Sequence, residues 1–360
     1  MDLNQLLQIT NERQASDLHI VCGVPPVLRV HGDLVLLEEF GKTMPQTARM
    51  LAYGVLNEEQ IRKFEQECEL DFSFGVPGLG RYRVNVHKQR GSIAIAIRRL
   101  ESAIRSWEEL GLPPIVEKMA LLEKGLVLVT GGTGSGKSTT LATMITIINT
   151  REKCHIITVE DPIEYLYSHN LSVIEQREVS SDTLSFANAL KYVLRQDPDV
   201  ILVGEMRDLE TIAIAITAAE TGHLVLGTLH TTDAVQTIDR VIDVFPAYQQ
   251  QQVRIQVALT LQGVICQQLM LRKDKSGRVA VVEAMVVTSA IRNLIREGKT
   301  HQIYSSLETG AKLGMQSVDT ALADLASRGI ISEEDAVLKA RDVEGLKRRM
   351  EKSRETHGNG

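Results

Sequence analysis

A parallel α/β sheet domain preceded by a small α+β domain is the architecture this 360-residue sequence predicts. Three observations carry that reading. From Leu126 onward, short Val/Ile/Leu runs alternate with helical patterns, as in a sheet covered on both faces. Before Leu100 the apolar runs are short, several alternate at period two, and turn residues separate them. The length itself exceeds one ordinary domain of roughly 150 residues.

In chain order, residues 1–100 form the α+β domain. Leu18–Val21, Val27–Val30, Leu34–Leu37, Arg81–Val86 and Ile93–Ile97 read as strands, and helical patterns surround Leu51 and Phe64. Glu101–Pro114 reads as a linker, because Gly111 and Pro113-Pro114 stop any helix. Residues 115–360 form the second domain. Its predicted strands are Leu126–Thr130, His155–Val159, Val200–Val203 and Leu224–Leu229; its predicted helices are Lys137–Thr150, Thr183–Gln196, Leu209–Thr221 and Thr232–Val244. Ser138–Thr150 and Val257–Leu271 are apolar stretches broken by Thr, Asn or Gln, and both fit buried helices. Beyond Tyr248 the pattern is mostly helical, with one hairpin around Lys273–Val287 and a disordered end at His357–Gly360.

Composition narrows the function. A hydrophobic fraction of 43% with 24% charged residues is that of a packed globular chain. A net charge of -6 argues against a dedicated nucleic-acid binder. Cys22, Cys68, Cys154 and Cys266 form no Cys-x-x-Cys pair, so free thiols in a reducing compartment are expected rather than zinc or disulfides. The N-terminus carries early charge and no apolar signal core, and no uncharged run reaches the roughly 18 residues needed to span a bilayer.

Gly131-Gly132-Thr133-Gly134-Ser135-Gly136-Lys137-Ser138 matches the P-loop pattern in full, and Thr139 follows it. Glycines let the backbone turn its N–H groups onto phosphate oxygens. The helix that starts at Lys137 adds its N-terminal dipole. Lys137 supplies charge to the β/γ-phosphates, and the Ser138 hydroxyl is a Mg²⁺ ligand. A hydrophobic strand enters the loop and an amphipathic helix leaves it, which is the context the motif requires.

Two further predicted strands end in carboxylates, Thr158–Glu164 and Asp199–Glu205. In open parallel sheets functional residues gather at the carboxyl ends of strands. Glu164 and Glu205 are the candidates for holding Mg²⁺ through water or orienting an attacking water, whereas Glu160 reads equally as a solvated turn residue. Gly204 stands where a Walker B aspartate is expected, so Glu205 takes that role. His230 closes Leu224–Leu229 and reads either as a sensor of the γ-phosphate or as a buried histidine bonded to a carbonyl. His223 helps to hold the turn before that strand.

Together these motifs resemble the secretion ATPase superfamily, the motors of type II secretion and type IV pili. Gly131–Ser138 is the P-loop, Ile157–Glu164 the acidic box, Val200–Glu205 the Walker B run, and Thr221–Asp243 the histidine box. Ala15–Ile20 is similar to a signature of the N-terminal domain. Ser289–Gly298, whose Ile291, Leu294 and Ile295 share one face with Arg292 and Arg296 stacked at i, i+4, resembles the motif of the pilus-retraction branch. The short N-terminal region and the lack of a Cys-x-x-Cys insertion agree with that branch rather than with assembly ATPases.

The resemblance implies a RecA-like P-loop NTPase core preceded by a PAS-like α+β domain, and a homo-hexameric ring that hydrolyses ATP with Mg²⁺. It implies that Gly132, Thr133, Gly134, Ser135, Gly136, Lys137, Ser138 and Thr139 hold the nucleotide. Glu164 then acts as general base or water-orienter, and Glu205 helps to position Mg²⁺ and water. His230 reports the γ-phosphate, and Arg83 and Arg98 reach phosphates as finger residues, with Arg81 on the same strand face. The ring is expected in the cytoplasm against the inner membrane at the pilus base, working on a membrane platform protein and contacting no nucleic acid. Three rivals stand beside retraction: a pilus-extension or secretion ATPase, a RecA-like nucleic-acid translocase, and a module that binds ATP without turnover.

Overall fold

The computed structural model describes residues 1–100 and 103–357, with side chains as far as Glu351. The first two residues of the predicted linker, and the predicted disordered end beyond His357, lie outside the described residues. The chain divides into two compact units, Met1–Ala103 with Pro162–Leu166, and Ile104–Asp161 with Tyr167–Gly360. The predicted linker from Ile104 onward therefore groups with the second unit, where Trp107, Leu110 and Leu112 pack into its core.

In the first unit the elements run α1 (Leu3–Glu12), β1 (Asp17–Ile20), β2 (Val27–Val30), β3 (Asp33–Leu36), α2 (Pro45–Tyr53), α3 (Glu58–Glu67), β4 (Glu69–Val76), β5 (Gly80–Gln89) and β6 (Ser92–Arg99). The strands form one antiparallel sheet in the order β3-β2-β1-β6-β5-β4. The sequence signals for α1 and β4 were too weak to predict either. Helix α3 is closed at its start by a capping box, in which Asn57 accepts from the Gln60 N–H and Gln60 accepts from the Asn57 N–H. Tyr82, Val84 and Val86 alternate inward from β5 to meet Leu6, Leu18 and Phe64 in a single core.

The second unit contains α4 (Ile115–Ala120), β7 (Gly125–Thr130), α5 (Lys137–Arg151), β8 (His155–Glu160), β9 (Val173–Glu178), α6 (Phe186–Val193), β10 (Val200–Val203), α7 (Leu209–Glu220), β11 (Leu224–Leu229), α8 (Ala234–Asp243), α9 (Ala247–Thr260), β12 (Leu261–Leu271), β13 (Arg278–Val286), α10 (Ser289–Arg296), α11 (Ile303–Thr309), α12 (Val318–Ser327), α13 (Glu333–Lys339) and α14 (Val343–His357). The sheet order is β13-β12-β7-β11-β10-β8-β9, with only β13 antiparallel to its neighbour. Strand β7 is buried at every residue because both its faces are covered. Leu126 and Leu128 pack on the side of α6 to α10, and Val127 and Val129 on the side of α4 and α5.

Val257–Leu271 is not one buried helix. Helix α9 stops at Thr260, and Leu261–Leu271 is a strand bonded to β7 on one side and β13 on the other. A strand buried between two neighbours loses the polar alternation that marks a half-exposed one, so its apolar run imitates a helix. A register shift between Leu261 and Gly263 marks the changeover. A side chain at Gly263 would press on the end of Met119 and lie 3.1 Å from the Met285 carbonyl, so Met119 would have to move where β12 passes α4.

Helix α10 carries the predicted retraction-type motif, and Ile291 and Ile295 are fully buried as its face requires. Arg292 reaches the end of α9. Its guanidinium donates to the carbonyls of Ala258 (2.6 Å) and Leu259 (3.0 Å) and to the Gln262 side chain (2.9 Å). Those carbonyls end α9 and have no intrahelical partner, so Arg292 is their cap from another helix. Arg292→Ala should lower stability by about 1–3 kcal/mol, and Arg292→Lys should recover only part, because an ammonium lacks the fork. Urea unfolding of the three proteins checks this; equal stability of all three would refute it.

Candidate functional site

The loop Gly131–Gly136 joins β7 to the fifteen-residue helix α5. Gly131, Gly134 and Gly136 have φ of 142°, 75° and 91°, where only glycine sits without strain. A side chain at Gly132 or Gly134 would meet nothing in the protein, so the space before them is open to a ligand. At Gly131 it would strike the Ser135 hydroxyl and the Gln267 carbonyl. The loop thus has an open concave side and a side packed on β12, which fits a backbone cradle for phosphate. Lys137 lies over it, its Nζ donating to the carbonyls of Gly131 (2.8 Å) and Gly132 (3.0 Å). Ser138, just beyond, is exposed, and Thr139 is half-buried.

A cleft of about 660 Å³ opens along this loop and continues past Gln268 and Leu269 toward Arg278, Tyr304 and Arg341. Its lining carries three cationic side chains, Arg278, Lys339 and Arg341, and two acidic ones, Asp233 and Glu283. No group of three or more His, Cys, Asp or Glu able to hold a metal ion occurs among the described residues. A Mg²⁺ site of the nucleotide type needs none, since phosphates and water supply most of its ligands.

Two parallel strands beside β7 deliver the remaining groups of this unit. Leu229 of β11 pairs with Thr130 of β7, so His230 emerges beside the start of the loop. Val203 of β10 pairs with Gly227, so Glu205 emerges one strand further along. Glu205 Oε1 accepts from His230 Nε2 at 2.8 Å and from Arg207 Nε. A carboxylate only accepts, so the His230 proton sits on Nε2. Burial works to raise the Glu205 pKa, but the Arg207 guanidinium and then the His230 ring outweigh it and hold the carboxyl below the ordinary carboxylate range. Glu205 is mostly buried while His230 and Arg207 are largely exposed, so an ionised anchor holds two donors toward solvent.

Gly204 explains its own departure from the Walker B form. A side chain there would lie 3.0 Å from the Val159 carbonyl and 3.1 Å from the Glu160 backbone, so β8 would have to give by a few tenths of an ångström to admit aspartate. The start of α8 is fixed as tightly. Asp233 accepts from the Gln236 N–H (2.8 Å) and from the Tyr304 hydroxyl (3.0 Å), and Arg341 stacks on the Tyr304 ring. Glu283, whose pKa burial raises, accepts from the Ala234 N–H at 2.9 Å. His223 bonds the Ala218 carbonyl, as its predicted turn role requires.

Arg83, Arg98 and Glu164 belong to the first unit. Arg83 and Arg98 are directly opposed across β5 and β6, and both are exposed. Like charges in that register repel. Asp17, opposite Arg98 in β1, offsets part of this by accepting from Arg98 Nε at 2.9 Å. Burial pushes Asp17 up, but Ser16 and Arg98 hold its carboxyl below the usual range. This gives the Ala15–Ile20 signature a physical purpose. Arg81 is engaged elsewhere, donating to the Ile163 carbonyl and the Ser73 hydroxyl, which supports the segment bearing Glu164. Glu164 itself is half-buried, four residues past the end of β8.

No local sequence motif singles out Gln267, Asp233, Glu283 or Tyr304 as site residues. One signal was present: Gln267-Gln268 is a polar pair inside an apolar run.

The chain matches the family model "Type II/IV secretion system protein" over residues 83–336. It is 49% identical over 346 residues to the Type IV pilus retractation ATPase PilT of Pseudomonas aeruginosa, covering 96% of this chain and 100% of that one. It is 48% identical over 321 residues to a twitching motility protein of Neisseria gonorrhoeae, covering 89% and 86%. A crystal structure described as the pilus retraction motor PilT and bound ADP superposes with a TM-score of 0.91 at 47% identity, covering 97% and 99% of the two chains.

Proposed function

The chain belongs to the Type II/IV secretion system protein family, and from that premise we propose that it is an ATP-driven motor that retracts type IV pili. The observation that carries this is the complete phosphate cradle with Glu205, Arg207 and His230 aligned beside it, on a chain similar from end to end to a retraction ATPase. No helix among the described residues is long and apolar enough to cross a membrane. The proposed working form is a homo-hexamer resting on a platform protein at the cytoplasmic face of the inner membrane.

At the site, the amides of Gly132–Thr139 take the phosphates, and Lys137 exchanges the Gly131 and Gly132 carbonyls for phosphate oxygens. Mg²⁺, held by the Ser138 hydroxyl with phosphates and water, supplies charge neutralisation when bound. Glu205 steers Arg207 and His230, which meet the charge that develops on the γ-phosphate. Glu164 is the proposed base for the attacking water, and Arg83 and Arg98 the proposed finger arginines in the assembled ring. Rigid positioning matters more than covalent chemistry here, because the phosphoryl transition state is mainly stabilised by fixed charge.

The test is to supply this protein to a piliated strain lacking its own retraction ATPase, while measuring Mg²⁺-dependent ATP turnover and native mass of the purified protein. Restored twitching, turnover and a six-subunit mass are expected. Turnover with pili that assemble but never retract would favour the extension reading. DNA-stimulated turnover would favour a translocase.

A further inference from the structure

Gln267 lies on β12 beside the phosphate loop. Cys266 of β12 pairs with Thr130, the last residue of β7, so Gln267 lies level with the first residue of the phosphate loop. Its side chain is almost fully buried, at 5% exposed. The amide Nε2 donates to the Ser135 carbonyl at 2.7 Å, and Oε1 accepts from the Thr140 hydroxyl at 2.8 Å. The orientation is unambiguous, because a carbonyl only accepts and must face the NH₂ end. The backbone carbonyl of the same residue blocks any side chain at Gly131, and its side-chain Nε2 would lie 2.9 Å from a Cβ at Gly136. One residue thus braces the loop at its start, at its end and in the first turns of α5.

We infer that Gln267 is a positioning residue for nucleotide binding: by holding the Ser135 carbonyl against β12, it aims the Gly136 N–H into the phosphate cradle. The carbonyl and the following N–H belong to one trans peptide plane and point in opposite directions. Fixing the first toward the strand therefore fixes the second toward the open side. Without Gln267 the Ser135–Gly136 peptide is free to rotate, since Gly136 has no side chain to resist it. The Thr140 hydroxyl orients the amide, whereas the contact of Thr140 with the cradle is through its backbone N–H to the Gly136 carbonyl, which a side-chain change leaves in place. The inference rests on reading the loop as the nucleotide site.

The probe is ADP, titrated into the full chain, with thermal unfolding in its absence recorded alongside. Wild-type binding is the control, and its failure would sink the nucleotide reading rather than the role of Gln267. Gln267→Leu should weaken ADP roughly tenfold, the value of one lost hydrogen bond in the cradle. Thr140→Val should lower the unfolding temperature but weaken ADP less than about threefold. Gln267→Glu supplies a variant of matching shape should the leucine protein fail to fold. Its carboxylate faces a carbonyl at about pH 8, and its protonated form can donate again at about pH 5.5, so its deficit relative to wild type should narrow on acidification. Equal weakening by the Leu and Val variants would overturn the inference. So would an unchanged affinity in Gln267→Leu, or a deficit in Gln267→Glu that does not respond to pH.

Discussion

Glu205→Ala should reduce ATP turnover by at least about 100-fold while leaving ADP affinity within about threefold of wild type. The magnitude follows from losing preorganised donors aimed at developing charge, each of which contributes on the order of 10²–10³ in rate. Here one carboxylate organises two, since Arg207 and His230 both bond to Glu205 Oε1. The small effect on binding follows from sign. Glu205 is an anion, held ionised by its partners, and does not attract phosphate. Removing it leaves the loop amides and Lys137 in place. Because its folded pKa is depressed, the carboxylate is charged throughout the neutral range, and the deficit should be the same at about pH 6.5 and about pH 8. Steady-state turnover paired with ADP titration decides the matter. A variant that turns over normally would remove Glu205 from the mechanism, and one that no longer binds ADP would reassign it to the binding site.

Lys137→Ala should weaken ADP about 100-fold, corresponding to roughly 3 kcal/mol for charge-assisted bonds to phosphate. The consequence is visible in thermal unfolding. ADP at about 100 times the wild-type dissociation constant stabilises wild type by about 2.7 kcal/mol, but the variant by only about 0.4 kcal/mol. Without ligand the variant should fold, losing the two bonds from Nζ to the Gly131 and Gly132 carbonyls at the edge of the loop. Full stabilisation by ADP in this variant would show that the loop amides hold the nucleotide alone.

The division between the two levels of structure follows contact distance along the chain. A P-loop is eight consecutive residues whose own backbone makes the ligand site, so glycine spacing and a following lysine suffice to identify it. The strand ends bearing Glu205 and His230 were legible for a related reason: a βα repeat places its strand carboxyl ends at one edge. That His230 bonds Glu205, and is not simply a satisfied core histidine, required the strand order, because twenty-five residues separate them. The changeover from α9 to β12 escaped because an apolar run buried on both sides has no readable period. Arg292 looked like half of a surface pair, since nothing nearby in sequence announces the bare carbonyls of α9 some thirty-three residues earlier. The sequence by itself thus pointed to a phosphate-binding loop and to a change of texture along the chain, both of which are written in local backbone requirements. Only the tertiary structure decided that Glu205 anchors two donors, that Arg292 caps a different helix and that Gln267 braces the loop, because each depends on which strand or helix lies next to which.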